Sequence, residues 1–446
     1  MEHLYSAFRL VHIPVSSFRA AYNFVGGKEG FTGLMASLPK SLIEVVATQG
    51  LRSPLAEKFS IIRGGPSYWL QVRLGATGEE NVSVARRALI LVSVCWLPLL
   101  ILSLGQGLAY NQSLQIPFLR DFAVNVRFLV SLPILVLAEL GIDRRLRAIV
   151  VHFVDSGLVK AADLPSFEAA LKKVMRLRDR ILPELTILAF AFLQSLAAPH
   201  AEVLMTGVSN WHYLTTGDGV TVSLAGTWFA TISTPLFRFL LWRWLWRMFL
   251  WTFFLWRISR VNLQLVPTHP DQAAGLGFLS EGQRRLAPIV FAGGVVIAGQ
   301  VANSITYQAA TLSGLKFVMI AYGVMAILSL VAPLLLMSPK LIKVKRQGIL
   351  DYGALANAYT QSFDDKWVHG KRPGEPLLGS SDIQSLADLS NSFAIVRDML
   401  AFLAIEKTSS NCYSQGSPRI KVATLDPEGL GKAAWEYYQI SGAAIG

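Results

Sequence analysis

Residues 200–226 read HAEVLMTGVSNWHYLTTGDGVTVSLAG, a stretch without Lys or Arg in a chain that holds 41 of them. It lies between two long apolar runs. The connector before that pair, 142–180, carries Arg144, Arg145, Arg147, Lys160, Lys172, Lys173, Arg176, Arg178 and Arg180. Basic connectors stay on the cytoplasmic side of a membrane, and connectors without Lys or Arg are translocated. The contrast therefore predicts a multi-span membrane protein and gives it an orientation.

A span needs about 20 mostly apolar residues. Six runs qualify: 88–108, 122–141, 181–199, 228–256, 286–309 and 317–338. The connectors 109–121 and 310–316 hold only Arg120 and Lys316, whereas every connector on the other side is basic. The expectation is an all-α integral membrane bundle of about six transmembrane helices, with N-terminus and C-terminus cytoplasmic. Residues 1–87 form a cytoplasmic N-terminal region, and 339–446 a cytoplasmic C-terminal region that is disordered after about 405. No cleavable signal precedes Ala88, which starts an uncleaved first span.

Composition agrees. The chain is 52% hydrophobic and 16% charged, with mean hydropathy +0.44. A soluble domain carries about 25% charged residues. The net charge of +12 gathers beside the apolar runs. It reads as anchoring and contact with anionic headgroups of the lipid bilayer rather than nucleic-acid binding. Cys95 and Cys412 give no disulfide framework and no CxxC. Homo-oligomers are neither indicated nor excluded.

Outside the spans, 31–47 is weakly apolar and broken at Pro39-Lys40. Asp163-Leu164-Pro165-Ser166 offers a helix start, and Phe167, Leu171, Val174, Met175 and Leu177 follow at helical spacing. Gly374-Glu375-Pro376 marks a turn. Ser380-Ser381-Asp382 precedes a helix over about 383–403, with Ile383, Leu386, Leu389, Phe393, Val396 and Leu400 on one face.

The fourth run is the most unusual. Phe237 to Arg247 reads FRFLLWRWLWR, and charges at membrane depth normally face protein or water. On a helical wheel Arg243 and Arg247 stand about 40° apart, and Arg238 about 180° from Arg247. One polar stripe cannot serve all three, and the irregular spacing excludes a voltage sensor. Either Arg243 and Arg247 line an anion or headgroup site, or Arg247 snorkels to the surface among the tryptophans. Glu139, Glu184 and Arg247 fall at similar depth, which predicts an intramembrane charge cluster. Arg127 is poorly placed for Asp121 and is expected to meet another helix.

The fifth run places Gln300, Asn303, Ser304, Tyr307 and Gln308 on one polar face, with Gly293, Gly294 and Gly299 small enough for close helix approach. That face suits a hydrated path, or static interhelical hydrogen bonds. In the connector after the fourth run, His269 and Asp271 are two apart. They could share a metal or act as a base and its orienter, but no third ligand is nearby, and a Pro-bounded turn with an Asx-type cap explains them more simply. The sequence carries no catalytic, metal or cofactor signature.

Three stretches, Pro117–Glu139, Arg257–Leu279 and Gly374–Phe393, together resemble a group of bacterial multi-pass inner-membrane proteins without an assigned function. The resemblance covers roughly 57–398 and implies a bacterial inner-membrane location, but no activity. After Arg397-Asp398 the chain departs from it. Glu406 to Asn411 (EKTSSN) is polar and irregular, as a truncated or frame-shifted end would be.

Three functions are compatible with these residues. The first is a transporter or channel-like protein for a small anionic or lipidic solute, using Arg238, Arg243 and Arg247 for charge and Gln300, Asn303 and Tyr307 along the path. The second is a non-transporting scaffold or sensor. The third is a lipid-acting membrane enzyme with His269 and Asp271 at the inner surface.

Overall fold

Apolar side chains at helical spacing govern the architecture, and all six apolar runs are helices. The computed structural model describes residues 53–73, 81–110, 114–206, 210–216, 219–370 and 381–403. The stretch 31–47, the Gly374-Glu375-Pro376 turn, Cys412 and the tail after about 405 lie outside the described residues. In chain order the helices are α1 (Pro54–Glu57), α2 (Pro66–Arg73), α3 (Asn81–Gly105), α4 (Phe122–Val126), α5 (Leu132–Asp155), α6 (Leu164–Arg178) and α7 (Ile181–Thr206). After a short hairpin come α8 (Leu224–Trp228), α9 (Thr234–Ile258), α10 (Phe278–Arg284), α11 (Ala287–Tyr307), α12 (Leu312–Leu335), α13 (Ser338–Phe363) and α14 (Ser381–Asp398).

Among the described residues, four helices are long and apolar enough to cross a membrane: Val84–Gly105, Phe122–Asp155, Phe278–Tyr307 and Leu312–Leu335. Their outer faces carry large apolar side chains in the open, such as Leu89, Phe291 and Phe317, the last 72% exposed. A water-soluble chain would cover such a surface. The fold is therefore that of a helical membrane protein. The third run, α7, is apolar over its described side chains, Ile181–Ser195. The fourth, α9, carries four arginines along its length, Arg238, Arg243, Arg247 and Arg257.

Several elements differ from the expectation. The second run does not end at 141 but continues as helix to Asp155. Ile142, Leu146, Ile149, Val150 and Phe153 keep an apolar stripe going, and Arg147 pairs with Asp143 one turn back at 2.8 Å. The first helix begins at Asn81 rather than 88. Residues 59–62 pack into the bundle: Phe59 is fully buried against Phe254, in an aromatic cluster with Phe153 and Phe167. The connector 200–227 contains an antiparallel hairpin, β1 (Tyr213–Thr216) with β2 (Gly219–Val222), in register Leu214↔Thr221.

The helix expected after Asp163 is α6, which buries Phe167, Leu171 and Val174. The helix expected over 383–403 is α14, which ends at Asp398 and buries only Val396. The long α13 has no counterpart in the sequence reading. It lies against the 259–277 connector and α14: Gly348 meets Pro267 and Val396, Lys345 Nζ donates to Met399 O at 2.8 Å, and Tyr359 Oη to Asp382 O at 3.1 Å.

Candidate functional site

The second and fourth runs are built alike. Asp121 caps α4 and Ser223 caps α8, each accepting a hydrogen bond from the backbone three residues on. Each short helix then widens into one π-turn, Arg127–Ser131 and Phe229–Ser233. The cause is a proline. Pro133 and Pro235 have no N–H to give the carbonyl four residues back. The ladder slips instead, so Leu132 N–H bonds Arg127 O and Thr234 N–H bonds Phe229 O. In each turn a buried serine donates to a neighbouring helix: Ser131 Oγ to Ala292 O at 2.9 Å, and Ser233 Oγ to Cys95 O at 2.7 Å.

Between the two π-turns lies a cavity of about 410 Å³. Arg127 enters it from one side and Arg238 from another. The Arg127 guanidinium stands 5.9 Å from the ring centroids of both Phe229 and Phe237, so the two runs meet through a cation–π sandwich. Arg238 Nη1 donates to Ser195 Oγ of α7 at 3.1 Å. The hydroxyl of Thr234, also on the wall, is buried and has no hydrogen-bond partner among the described residues. Gln300 and Asn303 close the cavity from α11.

The hairpin connector supplies the lid end. Trp211 is fully buried, edge-on to Phe118 at 5.0 Å, and its Nε1 donates to Asp121 Oδ2 at 2.9 Å. Asn303 completes the coordination of Asp121. Its Nδ2 donates to Asp121 Oδ1 at 2.8 Å, and its Oδ1 accepts from Phe122 N at 2.9 Å. Asp121, the one acid on the wall among the described residues, is thereby held by Trp211, Asn303 and Val124, and the two arginines share the cavity with it. Gly299 lets α11 come this close. A Cβ there would sit 3.1 Å from Ala123 Cα and from Phe122 O. Tyr307 is not on the wall; its hydroxyl donates to Arg120 O at 2.8 Å.

Arg243 and Arg247 belong to a separate place, the latter nine residues or roughly 14 Å along the helix from Arg238. Arg247 does not snorkel. It is 3% exposed, donates to Glu139 Oε1 at 2.6 Å, and lies 4.8 Å over the Trp244 ring. Arg87 of α3 closes on the other oxygen of Glu139. Glu184 pairs with Arg243, at 3.5 Å, rather than with Arg247. It also accepts from Ser67 N at 2.7 Å and Ser67 Oγ at 2.8 Å. One turn beyond Glu139, Asp143 takes Arg63 at 3.2 Å, Arg147, and the Ser60 hydroxyl. A chain of charges thus ties 60–67, α3, α5, α7 and α9 together.

His269 and Asp271 form a turn. The Asp271 carboxylate accepts from the N–H groups of Ala273 (2.8 Å), Gly275 (3.1 Å) and Gly277 (2.9 Å), with His269 Nδ1 at 2.7 Å. Partial burial works to raise its pKa, but those backbone bonds and the imidazole outweigh burial and hold it below the usual carboxylate value. Gln272 and Ala274 adopt positive φ around it. No three His, Cys, Asp or Glu side chains converge on a metal position among the described residues.

The sequence analysis missed Arg127, His212 and Thr234 as cavity residues. The available signal was the pair of prolines, Pro133 and Pro235, each two residues after a serine in an apolar run. Comparison with protein-family models, curated proteins and solved structures gives no match.

Proposed function

We propose that this chain is a six-span bacterial inner-membrane protein that takes a small anionic solute into the cavity between the two π-turns, as a transporter or channel does. Two arginines in a cavity walled by apolar helices carry this reading. Such charges concentrate an anion where few waters compete with it. The Thr234 hydroxyl, without a partner among the described residues, adds a donor at the wall, and leaving such a group unmet costs about 1–3 kcal/mol. Irregular helix turns at membrane depth are tolerated where they line a cavity.

The six-span arrangement rests on α7 and α9 crossing as a pair. Their packing supports it: Trp242 Nε1 donates to Gln194 Oε1 at 3.1 Å, and Phe190 stands 5.0 Å from the Trp242 ring. With the basic connectors inside, both termini are cytoplasmic and the hairpin end of the bundle faces out. A scaffold or sensor is the second reading, favoured by the dense pairing of Glu139, Glu184, Arg243 and Arg247. The enzyme reading draws no support from His269 and Asp271, since the Asp271 carboxylate is taken up by its own turn.

Charge-selective labelling tests the proposal. Single cysteines at Thr231 and Gln300, in a background lacking Cys95 and Cys412, are exposed to an anionic and a cationic membrane-impermeant thiol reagent. The anionic reagent is expected to react about tenfold faster at Thr231→Cys, with Arg238→Gln removing the preference. No reaction at either position, or equal rates for both reagents, would leave the scaffold reading standing.

A further inference from the structure

A second cavity, of about 360 Å³, lies at the other end of the bundle, between the start of the first span and the middle of α5. Four arginines, Arg63, Arg87, Arg144 and Arg147, face two acids there, Glu139 and Asp143. Both acids are already engaged: Glu139 by Arg87 and Arg247, and Asp143 by Arg63, Arg147 and Ser60. Arg144 is exposed and makes no hydrogen bond or ion pair with the described residues. Among the described residues the wall therefore holds an excess of two positive charges, one of them on the Arg144 guanidinium.

The rest of the wall is mainly apolar. Tyr68, Val72, Val84 and Leu140 flank the arginines, and Val72 is 41% exposed. Val84 opens the first span and Leu140 lies within the second. The cavity therefore combines a cationic floor with aliphatic flanks, at the level where a span leaves the apolar layer. A free inorganic anion would gain nothing from the flanks. A phosphodiester joined to acyl chains matches both parts, since guanidinium groups recognise phosphate oxygens in pairs.

We propose that this cavity binds the phosphate headgroup of an anionic phospholipid, with Arg144 as the principal contact and Arg87 and Arg147 behind it. The site is distinct from the solute cavity and does not depend on transport. It gives the basic end of the bundle a specific lipid partner in place of diffuse surface attraction.

The test uses the full-length protein purified in detergent and native mass spectrometry. Dioleoyl phosphatidylglycerol and dioleoyl phosphatidylcholine are offered in equal amounts, with Arg144→Gln compared with Arg176→Gln, a change on the exposed face of α6. Because Arg144 is exposed, its replacement leaves the core intact. Retention of phosphatidylglycerol over phosphatidylcholine is expected in the parent, to fall about fivefold in Arg144→Gln, and to persist in Arg176→Gln. Equal retention of the two lipids, or an unchanged preference in Arg144→Gln, would overturn the proposal. Displacement of the lipid by excess inorganic phosphate would reassign the site to a free oxyanion and would also overturn it.

Discussion

Glu139 is the side chain on which most of the buried charge depends. It answers two arginines from two different helices, and both would be stranded without it. Removing one partner of a buried ionic group costs about 3–5 kcal/mol, far more than an exposed pair is worth. Glu139→Gln is therefore expected to lower the melting temperature sharply in detergent, whereas Glu281→Gln, which loses surface pairs with Arg284 and Arg285, should be nearly silent. Equal melting of both variants would show that the network contributes little. Asp271 offers a different signature. Its carboxyl is held below the ordinary value, so its contribution is complete above the ordinary carboxylate range and disappears as pH falls through the lowered value. Asp271→Asn should destabilise at neutral pH by about 1–3 kcal/mol, because three N–H groups lose a charged acceptor. It should also flatten the acid limb of the stability profile; a limb unchanged from the parent would remove Asp271 from the account. At this scale the sequence was half legible. Depth alone grouped Glu139, Glu184 and Arg247, but only the packing of α7 on α9 shows that Glu184 meets Arg243, one turn earlier.

The paired π-turns set the geometry at the scale of the element. Asp121 and Ser223, Ser131 and Ser233, and Pro133 and Pro235 each stand 102 positions apart, so cap, widened turn and proline recur in one register. The helices before them, α3 and α7, begin and end at nearly the same offset. A two-helix unit thus occurs twice, although the repeat is hardly visible in residue identities because the lipid-facing positions ask only for apolarity. Pro235→Ala should let the ladder close as ordinary α-helix. The expected result is a melting temperature equal to or above that of the parent, with the anionic-reagent preference at Thr231→Cys lost as the wall rotates. A retained preference would separate the cavity from its π-turn. Gly299→Leu tests the opposing wall; its side chain meets the backbone of α4, and a loss of about 1–3 kcal/mol is expected from overpacking. The sequence offered the glycines and the polar face of α11 openly. It hid α13, whose basic residues mask an apolar edge through Leu341 and Val344, and whose partner surface is a connector far away in the chain.

At the scale of the whole molecule, the apolar runs carried the helical architecture, because lipid imposes the same demand on every helix that crosses it. What they could not carry was the meeting of distant connectors, such as Trp211 N–H on Ile116 O at 3.2 Å, which requires the folded bundle. The proposed orientation has a direct readout. A reporter enzyme that works only outside the cytoplasm should be active when inserted between Thr216 and Gly219, and silent when fused after Gly370; the reverse pattern would invert the topology. The buried ion pairs also bear on biogenesis. A segment with three arginines enters a bilayer poorly by itself, at about 2.5–3.5 kcal/mol for each charge near mid-membrane. Glu139 and Glu184 precede Arg243 and Arg247 in the chain, so the ribosome delivers both acids before these two cations. On the six-span proposal, the fourth segment is then received by helices that already carry opposite charge. On that proposal, assembly follows the order of synthesis, and a chain that met Arg243 and Arg247 before the acids is expected to fail at insertion rather than later as an unstable protein.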